Sequence, residues 1–343
     1  RSFARSPARR EPWADACRHA EAAAAGDAAA RRAVLAERFD AYRVLRVTLE
    51  DDGAQPRPIG EESRGLITGY YEPLLNGSRT RGGPFTVPLH RRPPDLLTID
   101  LAPLHPELAH LRLRGRLQAT EQGTRVVPYW SRAELTEERL SGAELVWVDD
   151  AVEAFFLQIQ GSGRVRLPDG SVIRVGYADT NGHPYRSIGR LLVERGELAL
   201  EEASMQGIAA WTRAHPDRAA ALLNENPSYV FFRELPLGDP DAGPVGALGV
   251  PLTPGASVAV DPRFIPLGAP LLIDTVHPAS GAPLRRLVLA QDTGGALRGP
   301  LRFDFFWGFG AEAALPAGRQ RHDVQAWLLV PRGVQPEALL PRQ

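Results

Sequence analysis

From Tyr229 onward the chain is a run of short apolar segments, YVFFRE, SVAV, LLIDT, RLVLAQD, LRFDFFW and VQAWLLV, parted by Gly and Pro. Each has strand length and is rich in β-branched and aromatic residues. Strands that short and that regularly spaced hide their edges best by closing on themselves, so this region predicts an all-β barrel.

Three aspartates sit in this region: Asp261 in AVDPRFIPLG, Asp292 in LAQDTGGALRG and Asp304 in RFDFFWG. Strand alternation sends Asp304 and Phe306 to one face and Phe303 and Phe305 to the other. A carboxyl held beside aromatic rings loses water, so its charged form is disfavoured and its pKa rises. A general acid needs that state; the plainer reading is a strand-end Asp whose neighbours are simply core. Asp292 precedes Thr293-Gly294-Gly295, where bare backbone can approach a ligand or bond the carboxylate itself, so it reads as a loop anchor or as a catalytic partner. Asp261, ahead of Pro262, reads as a turn residue, with a second role of orienting the other two by hydrogen bonds.

Two further clusters lie upstream. Gln158, Gln160, Gly161, Ser162 and Gly163 gather amides, a hydroxyl and bare backbone, and Tyr177, Asn181, His183 and Tyr185 follow closely. Such a mixture suits sugars, with amides pairing to hydroxyls and rings stacking on apolar sugar faces; a plain β-turn is the alternative for QGSG. Thr68, Gly69, Tyr70, Tyr71 and Glu72 form the second patch, where Glu72 is either a competing acid or part of a rigid turn with Pro73.

The rest of the chain is read from periodicity. Residues 11–48 predict an Ala-rich helical region, with Ala16, Ala20, Ala24, Val34, Leu35, Phe39 and Val44 at helical spacing and a break at Gly26. A β pattern opens at Gly65–Tyr71, residues 84–106 read as an extended, Pro-rich crossover, and residues 107–145 alternate short segments with charged helical ones. Strands are expected at Phe155–Gln160, Arg164–Leu167 and Ser171–Tyr177, the last two joined by the turn Pro168-Asp169-Gly170. Three short helices are expected in RSIGRLLVERG, ALEEASMQGIAAWTRAHP and DRAAALLNEN, with Ser204 an interior polar residue rather than a cap.

At 343 residues the chain exceeds what one core usually supports, so two domains are expected. Its 40 basic residues, all Arg, balance 41 acidic ones, and a net charge of −1 gives no sign of nucleic-acid steering. Cys17 is the sole cysteine, which excludes an internal disulfide and a Cys-based metal site; a buried apolar thiol is its expected role. His183 lies in neither HxH nor HExxH spacing, and no GxSxG, P-loop or dinucleotide fingerprint occurs, so no metal or cofactor is expected. There is no run of 18 apolar residues and no legible signal peptide, while the start at Arg1 rather than Met is consistent with a removed leader.

Taken together, TGYYEP at 68–73, QIQGSGRV at 158–165, NGHPYRSIG at 181–189, SMQGIAAW at 204–211 and NPSYVFF at 226–232 resemble the MltA family of lytic murein transglycosylases. ASVAVDPRFIPLG, LAQDTGGALRG and FDFFWGFG are similar to that family's C-terminal three-aspartate domain. The resemblance implies a mainly β fold with flanking helices: a double-psi β-barrel (1–88 plus 239–343) with an inserted smaller β-rich domain (89–238), and a groove between them. It further implies that Asp304 is a single catalytic acid and base, supported by Asp292 and Asp261. Thr68, Tyr70, Tyr71 and the Gln158–Tyr185 cluster would then bind substrate. The implied reaction is non-hydrolytic cleavage of the β-1,4 bond between N-acetylmuramic acid and N-acetylglucosamine, giving 1,6-anhydro ends. The implied partners are peptidoglycan strands and other cell-wall enzymes, with a monomer acting in the periplasm. Family members are usually lipoproteins of the outer membrane, whereas no lipidated N-terminal Cys is seen in this sequence. Two alternatives stay open: a hydrolytic muramidase using Asp304 with Asp292, and a wall-binding module without turnover.

Overall fold

A computed structural model describes residues 13–14, 18, 27–50, 57–105, 108, 111, 113–236, 242–295 and 297–339. Cys17, Ala16, Ala20, Ala24 and Gly26 lie outside them. The chain divides into two compact units, Arg1–Tyr71 with Asp241–Gln343, and Glu72–Pro240. The first division falls earlier than the expected 88/89, because residues 74–78 and 87–90 pair into the second unit's sheet.

The first unit opens with α1 (Ala28–Arg38), capped by the Asp27 carboxylate on Ala30 N. It ends where the predicted helix was to continue, giving way to β1 (Phe39–Arg43) and β2 (Arg46–Glu50). The β-branched and aromatic residues there (Phe39, Tyr42, Val44, Val47, Thr48) favour a pleated surface, and tertiary pairing overrides the Ala-rich helical start. β3 (Arg57–Glu62) pairs with β2, and β4 (Gly65–Glu72) leads out of the unit.

In the second unit, β5 (Leu74–Ser78), β6 (Val87–His90), β10 (Glu144–Val148), β11 (Ser162–Arg166), β12 (Val172–Thr180) and β13 (Val230–Leu235) form one sheet. Their order is β13-β12-β11-β5-β10-β6, so YVFFRE belongs here and not to the barrel. β7 (Leu97–Ile99), β8 (Leu113–Thr120) and β9 (Gly123–Pro128) make a separate small sheet, so the expected crossover and its flank carry regular strands. The turn at 168–170 is as expected, with Gly170 at φ +85° and its N–H on Leu167 O.

The predicted strand Phe155–Gln160 is instead the end of a helix, α2 (Ala151–Gln160). The Asp150 carboxylate accepts from Val152 N and Glu153 N, and Gly161 closes the helix at φ +78°. Those two caps decide the conformation against the β-like run AFFLQIQ. The three later helices are present as α3 (Ile188–Glu194), α4 (Met205–Ala214) and α5 (Pro216–Asn224). Ser204 is the N-cap of α4, its hydroxyl accepting from Gly207 N, because a short side chain at that boundary satisfies an otherwise orphan donor.

The chain then returns to the first unit with β14 (Ser257–Ala259), β15 (Pro270–Val276), β16 (Pro283–Asp292), β17 (Arg302–Phe309), α6 (Gly310–Arg319) and β18 (Arg321–Pro331). The strands run β18-β15-β16-β14-β17-β4, and β4 also pairs with β18, which closes a six-stranded barrel; β1 adds to β18. Ile67, Val258, Ala290, Phe303, Phe305, Val324 and Ala326 fill its interior. The alternate residues of the same strands, Thr68, Tyr70, Arg302, Asp304 and Arg321, therefore stand on its outer face.

Candidate active site

The short strand β14 places two of the three aspartates. Ala259 pairs with Asp292 of β16 on one side and with Asp304 of β17 on the other. The two aspartates are thus two strand spacings apart, about 10 Å between their Cα atoms. β4 runs along the far side of β17 and brings Thr68 and Tyr70 over them. It can lie this close because Gly69 carries no side chain: a Cβ there would meet the Trp307 indole at 2.8 Å and Ala317 Cα at 2.9 Å.

Asp304 Oδ1 accepts a hydrogen bond from Thr68 Oγ1 at 2.9 Å. Burial pushes the Asp304 carboxyl up to about 6; the Thr68 bond and the Arg302 charge pull against that, and the Asp292 charge adds to it. The expected alternation holds, with Phe303 and Phe305 in the barrel core and Phe306 on the other face against the Tyr70 ring, 5.2 Å between centroids. A carboxyl of this kind is still protonated in an appreciable fraction of molecules near neutrality and can take a proton back after giving it up.

Asp292 is anchored through both oxygens: Oδ2 accepts from Tyr70 OH at 3.0 Å and Oδ1 from Ala247 N at 2.9 Å. Burial raises its pKa, opposed by the N–H groups of Ala247 and Thr293 and by the Tyr70 bond. Tyr70 is itself held well above its ordinary pKa by burial, then by the charges of Asp292 and Asp304, so its hydroxyl stays a donor.

Asp261 does not orient the other two. Burial tends to raise its pKa, but the Arg263 guanidinium (3.0 and 2.6 Å) and Gly299 N (2.8 Å) outweigh it and hold the carboxylate charged. An Asp before Pro is free to bond donors just ahead of it, and here it ties the 261–263 turn to the loop at Gly299.

In the second unit the sequence-predicted residues divide. Gln158 is buried, its carbonyl accepting from Arg132, which also donates to Asn226 O and Ser228 O. Asn181, also buried, donates to Trp130 O (2.9 Å) and Pro227 O (2.8 Å) and accepts from Tyr229 N (2.9 Å), stapling loops together. Gly161 is the helix cap, and Gly163 is bare because a Cβ would lie 2.3 Å from Leu157 Cδ1. Ser162 opens β11, Gln160 donates to Met205 Sδ at 3.7 Å, and Tyr71 is partly buried near the end of β4. Tyr177 and Tyr185 are 38% and 49% exposed, and burial raises the pKa of the Tyr185 hydroxyl against a hydrogen bond with Ser187. His183 bonds Tyr129 O. Glu72 is fully buried and engaged on both oxygens, with Arg164 Nε at 2.9 Å on one and Arg174 Nε at 3.0 Å on the other. Among the described residues no three His, Cys, Asp or Glu converge as a metal site.

Arg302 was missed by the sequence reading. It donates through both terminal nitrogens to Thr68 Oγ1, each at 3.0 Å. The signal available was its position two residues before Asp304 on the same strand, hence on the same face.

Residues 66–233 match the MltA specific insert domain, and residues 256–330 match the 3D domain. The chain belongs to the MltA family. It is 36% identical over 272 residues, 77% of its own length, to the membrane-bound lytic murein transglycosylase A of Escherichia coli (strain K12). It spans 65% of that relative's length. Its fold is similar to the crystal structure of MltA from Neisseria gonorrhoeae (monoclinic form), with TM-score 0.78 and 38% identity over 97% of this chain and 86% of that one. It is also similar to E. coli MltA with bound chitohexaose, at TM-score 0.71 and 29% identity, covering 94% and 84% of the two chains. In the MltA family's terms, the insert matches the stretch that the sequence motifs TGYYEP to NPSYVFF span, and the 3D domain matches the stretch carrying Asp261, Asp292 and Asp304.

Proposed function

We propose that this chain is a lytic transglycosylase that cleaves the β-1,4 bond between N-acetylmuramic acid and N-acetylglucosamine in peptidoglycan, with Asp304 as the single acid and base. The observation that carries this reading is the setting of Asp304: a desolvated carboxyl poised near 6, beside a second carboxyl whose two oxygens are already engaged.

Protonated Asp304 gives its proton to the glycosidic oxygen as the C1–O bond breaks, and positive charge develops at the muramyl C1. The carboxylate left behind takes the proton of the same sugar's C6 hydroxyl, whose oxygen bonds to C1 and closes a 1,6-anhydro ring. The nucleophile is part of the substrate, so its effective concentration is high and no activated water is needed. A hydrolase would need a second carboxyl free to serve as base or nucleophile. Asp292 instead anchors Ala247 and Tyr70, which favours the one-carboxyl route.

The barrel unit would supply the chemistry and the inserted unit additional binding of the glycan, through partly exposed residues such as Tyr177 and Tyr185. Thr68 and Tyr70 would hold the reacting sugar's surroundings in place while Asp292 and Asp261 hold the loops that frame them. The relative seen with chitohexaose supports a β-1,4-linked amino-sugar chain as the class of ligand. The relatives' description as membrane-bound supports action in the bacterial envelope, and a peptidoglycan substrate would put that action on the periplasmic side. None of the described helices is long and apolar enough to cross a membrane.

The decisive experiment is mass spectrometry of soluble muropeptides released from purified sacculi. Ends one water lighter than reducing ends are expected. Reducing ends alone would replace this reading with the hydrolytic one, and binding without release would leave a wall-binding module.

A further inference from the structure

The bond between Thr68 and Asp304 has a direction that Arg302 imposes. A threonine hydroxyl has one proton and two lone pairs. Arg302 Nη1 and Nη2 both donate to Thr68 Oγ1, each at 3.0 Å, and so occupy the lone pairs. The single remaining proton points to Asp304 Oδ1, 2.9 Å away. With Thr68 donating, Oδ1 is an acceptor, and the carboxyl's own proton belongs on Oδ2.

We propose that Arg302 is a positioning residue for Asp304, acting through Thr68 to fix Oδ1 as the acceptor and Oδ2 as the atom that carries the transferable proton. The inference rests on the reading of Asp304 as the acid, and it adds which oxygen does the chemistry and what enforces that choice. Rotation of the Thr68 hydroxyl would otherwise let Oδ1 and Oδ2 exchange roles and let the proton turn inward to Thr68, away from a bound glycosidic oxygen.

The groups that face this pair are few. Tyr70 comes from β4 and Asp292 from β16, Ala259 of β14 carries no charge, and Arg321 of β18 acts on Arg302 by repulsion. Burial lowers the Arg302 pKa and the Asp304 charge supports it, so the guanidinium is retained by the carboxyl it serves. Thr68 and Arg302 both draw the Asp304 carboxyl downward against burial.

The test is a pH titration of the Asp304 carboxyl by carbon NMR of aspartate-labelled protein, with the signal assigned by its loss in Asp304→Asn. The midpoint is expected near 6 in the unsubstituted protein. It should rise by roughly one pH unit in Arg302→Met and in Thr68→Val, and hold in Thr68→Ser, which keeps the hydroxyl. Arg302 also acts on Asp304 directly through its charge, so the part that runs through Thr68 is read as a double-variant shift smaller than the sum of the two single shifts. An unmoved midpoint in folded Arg302→Met, or a double variant whose shift is the sum of the two, overturns the proposal. Should Arg302→Met not fold, Arg302→Lys takes its place: a point charge without the fork should shift the midpoint in the same direction, and an unchanged midpoint overturns it. The titration is read without substrate, so a protein that released no muropeptides would refute the proposed activity and still leave this answer standing.

Discussion

Glu72 and Asp304 are both carboxyl groups withdrawn from water, and the two units treat them in opposite ways. In the second unit Glu72 receives one guanidinium on each oxygen, from Arg164 and Arg174, and Asp179 likewise receives Arg92 at 2.9 Å and Arg114 at 2.8 Å. In the first unit Asp304 has a threonine hydroxyl as its bonded partner, and the nearby Arg302 is turned onto that hydroxyl rather than onto the carboxylate. A buried carboxyl that receives a guanidinium on each oxygen holds strands together; a buried carboxyl denied that partner has its charged form disfavoured. The difference separates a scaffold from a site more cleanly than burial does, since Glu72 is fully buried and Asp304 is partly so.

The comparison breaks most visibly through Asp304→Asn. On the proposed reading, removing the carboxyl that gives and takes the proton should lower muropeptide release by about 10³-fold, while binding of sacculi persists. A variant that retained a tenth of the rate would show that Asp304 is another buried polar residue. Next in size is Glu72→Gln, which leaves two arginines, 11% and 7% exposed, without their shared charge. Breaking a buried ion cluster from one side costs about 3–5 kcal/mol, to be read from urea unfolding of the full chain. A cost below about 1 kcal/mol would mean that Glu72 is solvated in the working protein.

The same Asp304→Asn variant has an opposite effect on stability. The folded carboxyl has its pKa raised from 3.8 to about 6, so the native state binds the proton more tightly than the unfolded chain. Its ionised form therefore penalises folding in full above about pH 6, and the penalty is gone below 3.8. Asparagine carries no such penalty, and for a carboxyl that keeps some solvent contact the gain at pH 7.5 should be about 2 kcal/mol. The gain should shrink to nothing as pH falls from 6 to below 4. Denaturation of both proteins across that range checks it; a gain independent of pH would assign it to packing.

How much of this was open to sequence reading follows the range of the interactions. The barrel strands, the alternation of Phe303, Asp304, Phe305 and Phe306, and the turn at 168–170 are set by near neighbours and were legible. α2 was misread because AFFLQIQ has strand composition, although its caps, Asp150 and Gly161, were both in view. The pairing of Tyr70 with Asp292 and of Thr68 with Asp304 joins residues 222 and 236 positions apart, set by barrel closure, and no local pattern announces it. Gln158 and Asn181 have the composition of a sugar site, yet their amides are committed to loop carbonyls, a backbone N–H and Arg132.

Asp292→Asn should have the smallest effect and is the sharpest test of the two-carboxyl alternative. The charge of Asp292 is the last and least of the influences on Asp304, and it pushes the pKa up. Neutralising it should lower the Asp304 midpoint by about half a pH unit and move the alkaline limb of activity down by the same amount. Asparagine can still accept from Ala247 N through Oδ1 and donate from Nδ2 to the Tyr70 hydroxyl, so the frame around the site survives with one bond reversed. A rate within threefold of the unsubstituted protein at pH 5, with anhydro ends retained, is the expected result. If the rate fell about 10²-fold at every pH, Asp292 would be the second carboxyl of a hydrolase, and its bonds to Tyr70 and Ala247 would have to open before each turnover.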